Sequence, residues 1–190
     1  GRVEPGVLGI KNGRIITPYA EGYDALEKYD GGGRYAMPGF FDTHVHIDST
    51  LVVPENLSHL IVPRGTTVML ADPMEIANVA GLPGFKALLK SIAQLPYHIY
   101  LEVSSRVPTA PGLETTGGEL NLEDVREILC WPETVSLGEL DPSKVLGMRD
   151  EYLAKVEAAQ VLGKICNGHA VGRVGKELVA SAIHEASDRT

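Results

Sequence analysis

Pro38-Gly39-Phe40-Phe41-Asp42-Thr43-His44-Val45-His46-Ile47-Asp48-Ser49-Thr50 is the stretch on which the fold turns. In an extended strand successive side chains alternate between faces. Phe40, Asp42, His44, His46 and Asp48 therefore fall on one side. Phe41, Thr43, Val45 and Ile47 fall on the other, a mostly apolar surface suited to packing under helices. The first side gathers two imidazoles and two carboxylates. Histidines two apart on a strand can both reach one divalent cation, whose ligands sit about 2 Å away.

Beyond this stretch a strand, a loop and a helix recur in turn. Pro54–Val62 reads as a helix with proline in its first turn, Gly65 closes it, and Thr66–Asp72 is a β-rich second strand. A helix over about residues 83–94 leads to a third strand, Tyr97–Val103. The loop Ser104–Gly118 is rich in proline, glycine and threonine, and loops of that length often cover a site. Asn121 N-caps the next helix, and Thr134–Glu139 is a fourth strand. Glu151–Leu162 is amphipathic, with Tyr152, Val156, Ala159 and Leu162 at helical spacing. Lys164–His169 is a fifth strand, and a last helix runs from Gly175 to about Ala186.

Strands alternating with helices at roughly 30-residue spacing mean βαβ units on a parallel sheet. A doubly wound sheet and a barrel both fit that pattern. No G-x-G-x-x-G follows the first strand, which disfavours a dinucleotide fold. Polar residues at the C-terminal ends of several strands favour the barrel, whose active site lies there. Five units are present where a closed barrel needs eight. The expectation is an α/β fold, a partial (β/α)8 TIM-type barrel over residues 38–190. Residues 1–37 read as short strands, with a hairpin of Val7–Ile10 and Arg14–Thr17 turning at Asn12-Gly13. Arg34–Met37 is expected as one more strand.

A hydrophobic share of 44% and a charged share of 22% are those of a core-forming globular chain. The net charge of −8 disfavours a nucleic-acid groove or a polybasic membrane surface. Neither a membrane-length apolar run nor a leader's apolar core is present, so a cytoplasmic protein is the expectation. Cys130 and Cys166 lack C-x-x-C spacing and read as core thiols.

Four polar positions fall at strand ends on one rim: His44, His46, Glu139 and His169. A carboxylate buried among imidazoles calls for a counter-charge, which a divalent metal supplies. The string from Pro38 to His46 resembles the first barrel strand of the amidohydrolase superfamily. Four further strings narrow the resemblance to its adenine deaminase family. They are Ala71-Asp72-Pro73-Met74-Glu75-Ile76-Ala77-Asn78-Val79, the loop Pro108–Gly118, Ser136-Leu137-Gly138-Glu139, and Asn167-Gly168-His169-Ala170-Val171-Gly172.

The resemblance implies that the opening hairpin is part of a small β-sandwich preceding the barrel. It implies one or two divalent ions (Mn, Fe or Zn) on His44, His46, Glu139 and His169. Glu139 is also implied as the catalytic carboxylate that bridges metals or shuttles a proton. Asp72, Glu75, Glu114 and Thr115 are implied to bind a small-molecule purine, with adenine hydrolysed to hypoxanthine and ammonia. A homo-oligomer is implied as well. Met74 departs from the pattern, because the family places a histidine there. The family's strand-six histidine and strand-eight aspartate would lie beyond Thr190, so the chain reads as a fragment that is inactive alone. His184, Glu185 and Asp188 read as surface residues of the last helix. Two other readings remain open: an amidohydrolase acting on a modified adenine or another cyclic C–N substrate, and a non-catalytic metal-binding module.

Overall fold

The computed structural model describes residues 3–147 and 149–185, with the backbone alone at 145 and 181–185. The chain divides into two compact units, Gly1–Met37 and Pro38–Thr190. In the first, β1 (Gly9–Lys11) and β2 (Arg14–Thr17) form an antiparallel hairpin. Asn12 and Gly13 turn it with φ of 51° and 71°, the left-handed pair that a tight hairpin needs. Residues 34–37 form no strand, contrary to expectation: their alternating pattern finds no ladder partner among the described residues.

The second unit is built on five parallel strands in sequential order: β3 (Phe40–Val45), β4 (Thr66–Ala71), β5 (His98–Ser104), β6 (Thr134–Leu140) and β7 (Ile165–Gly168). A doubly wound sheet would reverse its strand order part-way, and this one never does. The helices between the strands are α1 (Pro54–Ile61), α2 (Met74–Ile92), α3 (Leu122–Leu129), α4 (Pro142–Val145) and α5 (Asp150–Val161), and α6 (Lys176–Glu185) follows β7. The unit is a partial (β/α) barrel with its sheet curled toward closure. The core lies between sheet and helices, where Leu101, Val103 and Leu137 meet Phe85, Val125, Ile128 and Ala159.

Several local expectations are revised. α2 starts at Met74, well before residue 83, and bends at Gly81, whose φ of 54° and ψ of −145° leave helical space. A Cβ at Gly81 would lie 2.9 Å from the Glu119 carbonyl oxygen, so the bend lets the loop pass closely. The early start is secured by Asp48, whose Oδ2 accepts from the Ile76 N–H at 2.7 Å. Asp48 therefore leaves the strand face for a short 3-10 turn, because β3 stops at Val45. Phe41 is exposed rather than packed under helices, because β3 is an edge strand. Leu162 is exposed just past the end of α5, and Cys130 caps α3 at the surface, while Cys166 is buried. Asn121 caps α3 in a full capping box with Asp124. Asp188 and the side chains of His184 and Glu185 lie outside the described residues.

Candidate metal centre

The site grows from the C-terminal ends of β3, β5, β6 and β7. Along a flat sheet β3 and β6 would stand about 14 Å apart, three strand spacings. Yet His44 on β3 places its Nε2 3.4 Å from Glu139 Oε1 on β6, and His46 Nε2 lies 3.4 Å from the same oxygen. The curl of the sheet closes that distance. Glu139 has the left-handed φ of 55° where the β6–β7 register shifts, a bulge that re-aims its side chain. Ser105 Oγ donates to the Glu139 carbonyl at 3.1 Å and fixes the bulge from the loop after the neighbouring β5.

Each imidazole of the pair is held by its far nitrogen. His46 Nδ1 donates to the Asp72 carbonyl oxygen at 3.1 Å, and His44 Nδ1 meets Glu102 Oε1 at 3.1 Å. A carbonyl or carboxylate oxygen only accepts, so in the neutral rings the protons sit on Nδ1 and the Nε2 lone pairs face Glu139. Two lone pairs and a carboxylate oxygen thus confront one another with no proton between them, their ligand atoms all within 4.8 Å of one another. That donor set fits a divalent cation, with the far nitrogens oriented as metal-bound histidines require.

Glu139 is 2% exposed. Burial pushes its carboxyl up, but hydrogen bonds and charge from Arg106 and His169 outweigh it and hold the group below the usual carboxylate value. His169 Nε2 lies 2.9 Å from Oε2, and the Arg106 guanidinium donates to that same oxygen. A cavity of about 320 Å³ opens over Thr43, His44, Glu139, Asn167, Gly168 and His169. That volume is at the low end of ligand pockets, which span about 300–1,000 Å³.

Of the four residues expected to bind substrate, two lie beside this cluster. Asp72 follows β4 with a wholly buried carboxyl, neither oxygen of which has a hydrogen-bond partner among the described residues. Burial, and then Glu102 and Glu139, push its pKa well up. Glu75, in the first turn of α2, brings Oε2 to 3.4 Å from His46 Nδ1. Glu75, Asp48 and His46 form a second group of potential ligands. The Asp48 carboxyl is raised to about 6 by burial and then by its neighbour Glu75. Glu114 instead folds onto its own loop, accepting from the Ala110 N–H at 2.5 Å, and Thr115 is exposed. Met74 is half-buried at the start of α2, its sulfur accepting from Thr109 Oγ1 at 3.5 Å.

Two residues at the centre went unnoticed in the sequence. Glu102 is fully buried, accepting from Ser136 Oγ at 2.7 Å and from Asn167 Nδ2 while it meets His44. Gly138 makes room for it, since a Cβ there would overlap the Glu102 side chain. The available signal was a lone acid inside the apolar run Ile99-Tyr100-Leu101-Glu102-Val103. Arg106 sits in the loop after β5, and nothing in its local pattern marked it.

A sequence profile of the Amidohydrolase family matches residues 35–190. The chain belongs to the amidohydrolase family. This amidohydrolase is 55% identical over 185 residues to a protein named adenine deaminase from Desulforamulus reducens, covering 96% of the chain and 31% of that relative. It is 40% identical over 168 residues to an adenine deaminase of a Ruegeria species, covering 85% of the chain and 28% of the relative. It is also 41% identical over 170 residues to adenine deaminase 2 of Carboxydothermus hydrogenoformans, covering 87% and 29%. The chain thus spans about a third of the length of these relatives. Among the described residues no helix is long and apolar enough to cross a membrane.

Proposed function

We propose that this amidohydrolase chain carries the metal-binding part of a hydrolase that converts adenine to hypoxanthine and ammonia. The observation that supports it most directly is the arrangement of His44 Nε2, His46 Nε2 and Glu139 Oε1 around one point, in a chain whose relatives bear the name adenine deaminase. His44, His46 and Glu139 would hold a divalent ion, which when bound makes a water nucleophilic near neutral pH.

The chain's own groups then have distinct tasks. Glu102 and the Asp72 carbonyl keep the two imidazoles turned lone pair inward. Glu139, kept anionic by Arg106, would hold the ion through Oε1 and help shuttle a proton from the attacking water toward the departing amine. Oxygen bonds to C6 of the purine, the C6–N6 bond breaks, and ammonia leaves with the transferred proton. The buried Asp72 and the half-exposed Glu75 lie beside His46, where in this reading they hydrogen-bond a purine edge.

The test is incubation of the whole protein, loaded with Mn(II), with adenine and a panel of N6-substituted adenines, following ammonia and the purine product. Hypoxanthine and ammonia in equal amounts, lost on chelation, support the reading. Adenine left untouched while a substituted adenine is consumed overturns the substrate. No turnover of any purine overturns the reaction.

A further inference from the structure

The two oxygens of Glu139 face different company. Oε1 looks at His44 Nε2 and His46 Nε2, both at 3.4 Å and both with lone pairs free. Oε2 is taken by the Arg106 guanidinium and by His169 Nε2 at 2.9 Å. An ionised carboxylate oxygen only accepts, so the His169 proton sits on Nε2 and that nitrogen offers no lone pair toward Glu139. Two-metal hydrolytic sites need both ions about 3.5–4 Å apart, commonly sharing a carboxylate. Here a permanent cation already occupies the second oxygen, and an arginine cannot give up its charge.

We propose that Arg106 stands in for a second cation, so that the centre takes a single divalent ion on His44, His46 and Glu139 Oε1. Arg106 is then a positioning residue: it neutralises and aims the carboxylate, and it fixes how many ions enter. The ion pair is well sheltered, with the side chain of Arg106 only 19% exposed and that of Glu139 2%. The loop that brings Arg106 in is held at both ends. Lys155 Nζ donates to the Ser105 carbonyl at 2.9 Å and to the Leu120 carbonyl at 3.1 Å, and the Gly118 N–H donates to the Asn78 carbonyl at 2.7 Å.

The inference rests on the metal centre proposed above, and bound metal tests it without any measurement of turnover. The protein is equilibrated with Zn(II), desalted and assayed for metal per chain. In parallel the Mn(II)-loaded protein is examined by electron paramagnetic resonance. Unaltered protein is expected to hold about one ion per chain and to show the signal of an isolated Mn(II). Arg106→Gln removes the fixed cation from Oε2, so a second ion can take that oxygen and displace the Nε2 proton of His169, and about two ions per chain are expected. Arg106→Lys, which keeps the charge, stays near one.

Two ions per chain, or an exchange-coupled Mn(II) pair, in the unaltered protein overturns the inference and leaves the proposed reaction standing. A folded Arg106→Gln variant that still holds one ion also overturns it. No bound ion at all in the unaltered protein removes the metal centre, and this inference with it. If Arg106→Gln does not fold, the spectrum of the unaltered protein decides.

Discussion

Glu102 shows how a single side chain can govern a site it does not enter. Its carboxylate touches neither the cavity nor solvent, yet it sets which nitrogen of His44 carries the proton. Glu102→Gln keeps the shape but can present an amide N–H to His44 Nδ1, favouring the wrong tautomer. Divalent-metal affinity is expected to fall about 10–100-fold, measured by competition with a chelating dye, with far-UV circular dichroism unchanged. The positions of His44, His46, Glu139 and His169 at strand ends could be read from the sequence, because strand periodicity and barrel topology locate them. Glu102 could not, since an acid between apolar neighbours reads equally as a strand residue facing solvent. Arg106 could not either, since a loop has no period from which to infer its aim.

Among the elements, α1 and β5 are joined by a tyrosine and α5 clamps a loop. Tyr97, just ahead of β5, is buried and donates its hydroxyl to the Pro54 carbonyl at 3.0 Å, at the start of α1. Burial, and then the charge of Glu55, push its pKa up to about 12. Below pH 10 folded and unfolded chains both keep this proton, so the residue adds no pH dependence there. As pH rises from about 10 to 12 only the unfolded chain releases it, so stability falls, by on the order of 2–3 kcal/mol in all. Urea midpoints followed through that range are expected to drop less steeply for Tyr97→Phe than for the unaltered protein. Equal slopes would show that other groups carry the alkaline loss. Lys155 is the clamp: burial lowers its pKa, and both of its carbonyl partners lie in the connection between β5 and α3. Lys155→Met leaves two buried acceptors unpaired and is expected to cost about 2–4 kcal/mol of stability. A urea titration measures it, and earlier proteolysis between Ser105 and Leu120 should accompany the loss.

Across the whole molecule, the order of strands and the barrel class were legible, and the degree of curl was not. Alternation of strands and helices from residue 38 onward fixes a parallel sheet, but only contacts such as His44 to Glu139 show how far it bends. The bend of α2 was hidden for a related reason. The sequence suggests a helix over about residues 83–94, whereas Asp48, from a different element, holds an earlier turn in place. Among the described residues β3 and β7 are the edges of the sheet, and Phe40 and Phe41 stand exposed on β3. Bare edges with apolar side chains pair with other chains. The 190-residue chain is expected to associate as its concentration rises, and Phe41→Lys to suppress that association, both followed by light scattering.

Glu102 on β5 draws in a histidine from β3, a serine from β6 and an asparagine from β7. No partly assembled form of the sheet can offer that convergence, since it exists only once the last of those strands has docked. On the metal centre proposed above, ion capture is therefore expected late in folding. A tightly held ion acts as a ratchet, stabilising the finished fold alone against every earlier stage.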